Sequence, residues 1–521
     1  MKAEKLNIIY VSTIDAKHED VEFFAWLKYL NDCGLHYDLK NLNVSSPPNI
    51  DVLEKIKNEF VYLNIIGVTL IPKLNGVLHI LKQNNCFLIA GGGADIVIHS
   101  NDILNIFKEI DAVIIGPEIG KVLEQLKGKS FNYVKSVKMQ GVAYRKPGNE
   151  SDIEINESPH LPENLDHLSS IELYKQDCLP AEWYPVIISL GCEYDCQYCG
   201  FQLPYLMNFE NVKNIRRKKS GIKVVDELEF LYSKGIKKFS FFCHQFFSQQ
   251  EEHPGDIVSI GEEILKRNLK IEFHFASKPS LILENLQHLD LLREAGLVRI
   301  DIGIDSGLER FHKMYKTGST VEDCIAALKT MHEKNIAFEG FFIFYDPYLT
   351  IEEIKENLIF LDKVKGYYSH LSKPFCSYLD STIFNSTLVL RYGMPIINKL
   401  RKDNLLIENP GFTSHPKAIF RDRKVVFFYS IYRAINEMIL KKIRHFFYDR
   451  ELVRMHSFLE DFPIRILEEI LVAVNENKYG EIKDYAYDIL GFVKNTLEEH
   501  IWEIFSNFPG YKSRELEKVF T

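Results

Sequence analysis

Pro185–Gly200 reads PVIISLGCEYDCQYCG. Its first half is a β-branched apolar run, the pattern of a buried strand. Its second half carries Cys192, Cys196 and Cys199 in CxxxCxxC spacing. Three thiols packed this closely after a strand end can wrap one corner of an iron–sulfur cube. A structural 4Fe–4S cluster normally takes four cysteines, so three leave one iron without a protein ligand. An open coordination position marks a reactive metal centre, as it does for catalytic zinc. A zinc knuckle and an electron-transfer cluster are the other readings of these residues. Each needs a fourth ligand from Cys178 or Cys243, and neither has the paired spacing such sites use.

Outward from this stretch, residues 185–390 alternate strand-like and helix-like runs. KKFSFFCH, KIEFHFA, LVRIDIGID and AFEGFFIFY follow PVIISLG as strands, with GIKVVDELEFLYSKG and TVEDCIAALKTMHEKN between them as helices. Repeated units of this length predict a complete or partial (β/α) barrel, whose chemistry sits at the C-terminal strand ends. Residues 1–130 alternate in the same way: LNIIYVS, HYDLKNLN, LNIIGVTL, CFLIAGGG and DAVIIG are strands, VEFFAWLKYLNDCG and DVLEKIKNEF helices. They predict a Rossmann- or flavodoxin-like doubly wound sheet. Residues 131–184 are polar and contain Pro and Gly, which suits a small β excursion and a linker. Residues 391–521 carry helix-period apolar residues and predict a helical C-terminal domain. The fold class is therefore α/β.

A length of 521 residues fits two to four domains. Apolar residues at 46% and charged ones at 26% are the mix of a globular protein. No apolar run is long enough to span a membrane, and MKAEKLNIIYVSTIDAKHED has no signal-peptide core, so a cytoplasmic location is expected. The net charge of −9 argues against nucleic acid as a partner. The short basic run Arg216–Lys219 is expected to be a solvated edge rather than a phosphate site. Cys33, Cys86, Cys178, Cys243, Cys324 and Cys376 are scattered and read as small buried residues.

The CxxxCxxC spacing, Tyr198 before the last cysteine, Gly200 after it, and the placement behind a first barrel strand resemble the radical S-adenosylmethionine (SAM) superfamily. The resemblance implies a 4Fe–4S cluster on Cys192, Cys196 and Cys199, with SAM on the open iron. Reduction would cleave the sulfonium and yield a 5′-deoxyadenosyl radical. Tyr198 and Gly200 would lie against these cofactors. Ile300–Gly307, reading IDIGIDSG, is similar to the family's GIES-type motif, which implies that Asp305 and Ser306 face SAM, with Asp305 standing where Glu is usual. Lys278 in ASKPS would meet the SAM carboxylate, and Lys316–Thr320 resembles a segment that caps the next helix. Gly340–Thr350 is like a stretch that supports the adenine, which implies roles for Phe342 and Tyr345. Cys243, His244 and Gln245 depart from the acidic pattern of related enzymes at the second strand end.

Attached to such a barrel, residues 5–130 resemble the cobalamin-binding domain of the cobalamin-dependent branch. Thr69 and Leu70 in IGVTLIP, Gly91, Gly92 and Gly93 in LIAGGG, and Gly116 in IGPE would then meet cobalamin. The Asp-x-His-x-x-Gly signature for a lower ligand is absent; His18 lies near its place with different spacing. The implied activity is reductive SAM cleavage followed by methylation of an unactivated carbon, with a flavodoxin or ferredoxin as electron donor. Cyclisation, rearrangement or another redox step of the same branch is the alternative, for which Cys376 or Tyr378 would donate hydrogen. A third reading is a non-catalytic iron–sulfur scaffold. The substrate, whether peptide or small metabolite, is not legible.

Overall fold

The structure, a computed structural model, describes residues 5–12, 21–45, 50–116, 118–130, 139–146, 149–156, 164–175, 182–200, 216–248, 255–367, 386–408, 415–430, 432–433 and 470–472. Five parallel strands begin the chain: β1 (Lys5–Ser12), β2 (His36–Asn43), β3 (Phe60–Ile65), β4 (Phe87–Gly92) and β5 (Ala112–Ile114). Their order is β2-β1-β3-β4-β5, the flavodoxin-like order. Both faces are apolar because helices cover both sides of such a sheet. On one face Ile8, Tyr10, Tyr62 and Ile89 pack with Phe23, Phe24 and Trp26 of the helix Val21–Asp32, in a core continuous with the barrel. On the other, Ile9, Val11, Leu63 and Leu88 form a separate core with Val77, Leu78 and Ile103.

Two expectations change here. The helical reading of DVLEKIKNEF holds only for Ile50–Leu53; Asn58 takes a left-handed φ of 56° and Phe60 already begins β3. The β excursion after residue 131 is no separate unit: β6 (Val142–Lys146) and β7 (Asn149–Ile155) extend the same sheet antiparallel beyond β5.

The second sheet contains β8 (Tyr184–Ile187), β11 (Lys238–Phe242), β12 (Glu272–Ser277), β13 (Leu297–Asp305) and β14 (Ala337–Phe342), paired in parallel and in chain order. This is a partial barrel. A parallel bridge between Tyr345 and Thr387 begins a sixth position. Alternation along β13 buries Ile300, Ile302 and Ile304 while Arg299, Asp301, Gly303 and Asp305 share the other, less buried face. Before the cysteine loop, β9 (Ser189–Leu190) pairs antiparallel with β10 (Arg217–Lys218). Thr320 caps the helix Val321–Glu333 in a reciprocal capping box with Asp323, as its sequence predicts.

Beyond the barrel lie the helix Pro395–Lys402, a two-stranded pair at Leu406–Ile407 and Lys417–Ala418, and a helical stretch over 423–430. Most of the expected C-terminal helical domain falls outside the described residues, as do His18, Cys178, Cys376 and Tyr378. No helix among the described residues is long and apolar enough to cross a membrane.

Candidate active site

The cysteine loop is fixed by backbone bonds from three directions. The Gly191 amide donates to His244 Nδ1 at 3.0 Å. The Gln197 amide donates to the Tyr315 carbonyl at 2.9 Å, and the Gln197 carbonyl accepts from the Ile396 amide at 3.1 Å. A turn closes the loop, with the Cys199 amide donating to the Cys196 carbonyl at 3.0 Å. All three thiols are half-buried and in no disulfide. Burial pushes the Cys196 thiol up to about 11, against the pull of the Lys278 ammonium. Nζ of Lys278 stands 3.2 Å from Cys196 Sγ, donates to the Thr317 carbonyl and lies 4.2 Å from the Tyr194 ring centroid.

Among the described residues no three His, Cys, Asp or Glu side chains are grouped so as to hold one metal ion. That suits the zinc knuckle poorly. A cube of four irons instead takes each thiolate on a different iron, and three thiols on one loop fit that donor set. Cys243 is no fourth partner of a paired kind: its thiol donates to the Phe241 carbonyl at 3.4 Å and burial pushes it up to about 12.

Asp305 ends β13 with a left-handed φ of 61°, at an irregularity in its pairing with β14. The Tyr198 phenol lies near its carboxylate, and burial followed by that negative charge pushes the phenol well up. The Tyr198 ring packs against Phe311 and Tyr315. Lys278, Asp305, Tyr198 and the cysteine loop thus converge at one mouth.

Ser306 does not join them. It is 1% exposed; its hydroxyl donates to Asn357 Oδ1 at 3.4 Å and accepts from the Leu308 amide at 3.3 Å. The turn after Asp305 rotates it inward, so it braces the loop. Phe342 and Tyr345 are likewise core residues, packed on Phe360 and on Tyr429.

Two residues that motif reading missed complete the brace. His312 bridges the Ser306 carbonyl at 2.9 Å and Thr317 Oγ1 at 2.8 Å. Asn357 accepts from the Gly307 amide at 3.0 Å. A helix-period histidine gives no signal of this in sequence. At the second strand end, burial holds His244 neutral, its pKa lowered to about 4, while Gln245 Nε2 donates to Ser277 Oγ at 2.7 Å.

The cobalamin-type residues also gather at one edge. Thr69, Gly91, Gly92, Gly93 and Gly116 all lie at or just after the C-terminal ends of β3, β4 and β5. Two of the glycines have internal reasons, however. A Cβ on Gly91 would stand 2.8 Å from the Tyr62 ring; one on Gly92, whose φ is +128°, would stand 2.3 Å from the Ile65 carbonyl oxygen. Leu70 is core, its side chain buried among the strands. Thr69, half-buried on a short 3₁₀ turn, keeps its hydroxyl clear of protein partners among the described residues. The donor and the backbone edge therefore fit a polar nucleotide tail, but the glycine run by itself does not demand one.

The basic run lies between the two sheets and is not solvated. Arg217, on β10, meets Glu118 after β5 at 2.7 Å, with side chains 6% and 1% exposed. Lys219 meets Glu227 at 2.7 Å, also buried, and Arg216 donates to the carbonyls of Gln245 and Phe246. Arg217 and Lys219 are each neutralised by a carboxylate where a lone charge would be costly. The N-terminal edge also touches the C-terminal segment, through the His99 and Tyr392 rings at 4.7 Å and Asp95 with His415 at 3.8 Å.

A partial parallel barrel with a three-cysteine loop at its mouth, joined to a flavodoxin-like sheet, defines a class of two-part metalloprotein. Residues 186–361 match the family model of the Radical SAM superfamily. These residues thus form a domain of that superfamily's kind, and the whole chain shares the fold of cobalamin-dependent radical enzymes to which it is similar. It is 24% identical over 323 residues to an uncharacterized methyltransferase of Pyrococcus horikoshii, covering 61% of this chain and 60% of that protein. It is 29% identical over 206 residues to the 4′-phospho-dehydrooxetanocin synthase of Priestia megaterium, covering 36% and 26%. The chain thus spans less than two thirds of these relatives. The cobalamin-dependent SAM radical enzyme OxsB, solved with aqua-cobalamin and SAM bound, superposes with a TM-score of 0.73 at 15% identity, covering 97% of this chain and 81% of that one.

Proposed function

We propose that the protein is a cobalamin-dependent radical SAM enzyme that methylates an unactivated carbon of its substrate. The observation that carries this is the convergence of Cys192, Cys196 and Cys199 with Lys278, Asp305 and Tyr198 at the barrel mouth. When bound, the cluster and SAM supply a primary carbon radical, and cobalamin a transferable methyl group.

The chain's own residues bind and orient. Cys192, Cys196 and Cys199 would hold the cluster as thiolates and leave one position for SAM. The Asp305 carboxylate, beside the Tyr198 phenol, would accept hydrogen bonds from hydroxyl or ammonium groups of SAM at the mouth. Lys278 is engaged with Cys196 and the Thr317 carbonyl, so it also fixes the cysteine loop to the next strand end. His312, Asn357 and Ser306 hold the β13 turn on which Asp305 stands. At the N-terminal edge, Thr69 and the backbone after β4 and β5 would hold the nucleotide side of cobalamin. The methyltransferase relative supports methyl transfer, while relatives named as cyclases keep cyclisation as the alternative.

The test is anaerobic reconstitution with iron and sulfide, then absorbance with and without hydroxocobalamin after desalting, then SAM and dithionite. Cluster absorbance, retained cobalamin and 5′-deoxyadenosine are expected. Deoxyadenosine without retained cobalamin would overturn the methyl-transfer reading and leave a radical enzyme of the cyclase or redox kind. A protein that forms no cluster would overturn both.

A further inference from the structure

Lys278 follows the last residue of β12 and directly precedes the helix Pro279–Glu284. Its side chain is half-buried. A lysine ammonium has three N–H donors and no acceptor, and here the protein meets all three. One donates to the Thr317 carbonyl and one to Cys196 Sγ, 3.2 Å away. The third direction is covered by the Tyr194 ring, whose centroid lies 4.2 Å from Nζ, a favourable place for a cation.

These partners are themselves held in place. Tyr194 belongs to the cysteine loop, between Cys192 and Cys196. The turn behind it fits closely: a Cβ on Gly318, whose φ is +78°, would stand 2.3 Å from the Tyr194 ring. The Thr317 amide donates to the His312 carbonyl at 3.2 Å, and Ser280 Oγ donates to the Gly318 carbonyl at 2.9 Å. No carboxylate makes an ion pair with Lys278 among the described residues. A half-buried cation needs a counter-charge, and a thiolate at Cys196 supplies one.

We infer that Lys278 is a positioning residue for the cluster and not for SAM: its ammonium, fixed by Thr317 and Tyr194, hydrogen-bonds the Cys196 thiolate and raises the reduction potential of the cluster held there. This inference rests on the iron–sulfur reading. Reduction moves one electron from an external one-electron reductant onto the cluster, and no bond forms or breaks in that step. The added negative charge reaches the ligating sulfurs, where a hydrogen bond from a cation stabilises it. With its three protons engaged, the ammonium has none left for the SAM carboxylate, the partner that the sequence resemblance implies.

The test is a spectroelectrochemical titration of the reconstituted full chain, without SAM, in wild type, Lys278→Met, Lys278→Gln and Lys278→Arg. The Met change removes charge and donor, the Gln change keeps a donor, and the Arg change keeps the charge. The Met protein is expected to be harder to reduce by about tenfold in equilibrium constant, a shift of about 59 mV to more negative potential for one electron. Gln should fall between, and Arg should recover most of the wild-type value. SAM affinity, measured by equilibrium dialysis with the oxidised proteins, should change by less than about threefold, below the scale of one lost charged hydrogen bond.

Equal potentials in wild type and both neutral variants would overturn the inference. A loss of SAM affinity of about tenfold or more at unchanged potential would overturn it too, by returning Lys278 to the SAM carboxylate. Should Lys278→Met lose its iron, Lys278→Gln carries the comparison. Loss of iron from all three variants alike would make Lys278 a support of the fold alone, against the inference. A wild-type protein that takes up no iron strikes instead at the iron–sulfur reading.

Discussion

The two sheets end in loops built for different purposes. After β4, glycines stand where neighbouring protein atoms leave no room: Gly91 beneath the Tyr62 ring, Gly92 against the Ile65 carbonyl. After β8 and β9, the loop is held from outside by His244, Tyr315 and Ile396, and its thiols remain half-exposed. The first loop is shaped by what it packs against; the second is held so that something else can be bound. Small residues at strand ends thus say little about a ligand, whereas reactive side chains fixed by backbone bonds say much.

Substitutions can break this contrast. The largest effect is expected from Cys196→Ala: iron content should fall and 5′-deoxyadenosine should drop to background while the fold persists by circular dichroism. Full activity would remove the cysteine loop from the chemistry.

Next is the joint between the sheets. Arg217→Ala leaves buried Glu118 with only the more distant Lys121 at 3.9 Å, with an expected loss of about 3 kcal/mol in denaturant unfolding. Glu118→Leu combined with Arg217→Leu should cost less than Arg217→Ala, since no charge is then stranded. Additive losses would mean the two side chains do not act as a pair.

Gly92→Ala forces a side chain into a left-handed-side backbone and should cost about 1–3 kcal/mol for the backbone alone. If it leaves unfolding unchanged but abolishes cobalamin retention, the glycines serve the cofactor and the comparison fails.

His167 packs against Trp26 and Tyr29 beside the joint. Burial, then nearby cations, lower its pKa from 6.5 to about 4. The unfolded chain therefore binds the proton more readily between these values. Its contribution is present above pH 6.5 and is lost as pH falls toward 4. Unfolding midpoints of wild type and His167→Phe, compared at pH 7 and pH 5, should show a smaller acid loss in the variant.

The smallest effect is expected from Thr69→Val. Stability should change by less than about 0.5 kcal/mol, as at most surface positions, while retained cobalamin weakens several-fold, the scale of one hydrogen bond. Unchanged retention in equilibrium dialysis would remove Thr69 from the cofactor edge.

Much of this was legible from periodicity and spacing. The strands of both sheets, the Thr320 cap and the cysteine loop follow from local pattern. What was hidden depended on partners distant in sequence. Nothing in Val142–Ile155 announces that it will pair onto β5. The run Arg216–Lys219 looks solvated until Glu118 and Glu227 are placed beside it. Ser306 follows the motif by residue type, yet the turn after Asp305 points it at Asn357. His312 was unreadable because its role lies in two hydrogen bonds that only the folded turn brings together.

The backbone at Asp305 bears on which acids this position admits. Asp and Asn enter the left-handed region far more readily than other residues with a side chain, because a short polar group can bond locally. Glu, the more usual acid of the motif, gains reach and loses that tolerance. The shorter acid is therefore a matching choice, in which the conformation of the turn and the length of the carboxylate arm suit one another. An Asp305→Glu exchange, conservative by charge, would disturb the chain path before it altered any chemistry, whereas Asp305→Asn would keep the path and remove the charge. For anyone redesigning this mouth, conservation of shape and conservation of charge point to different residues.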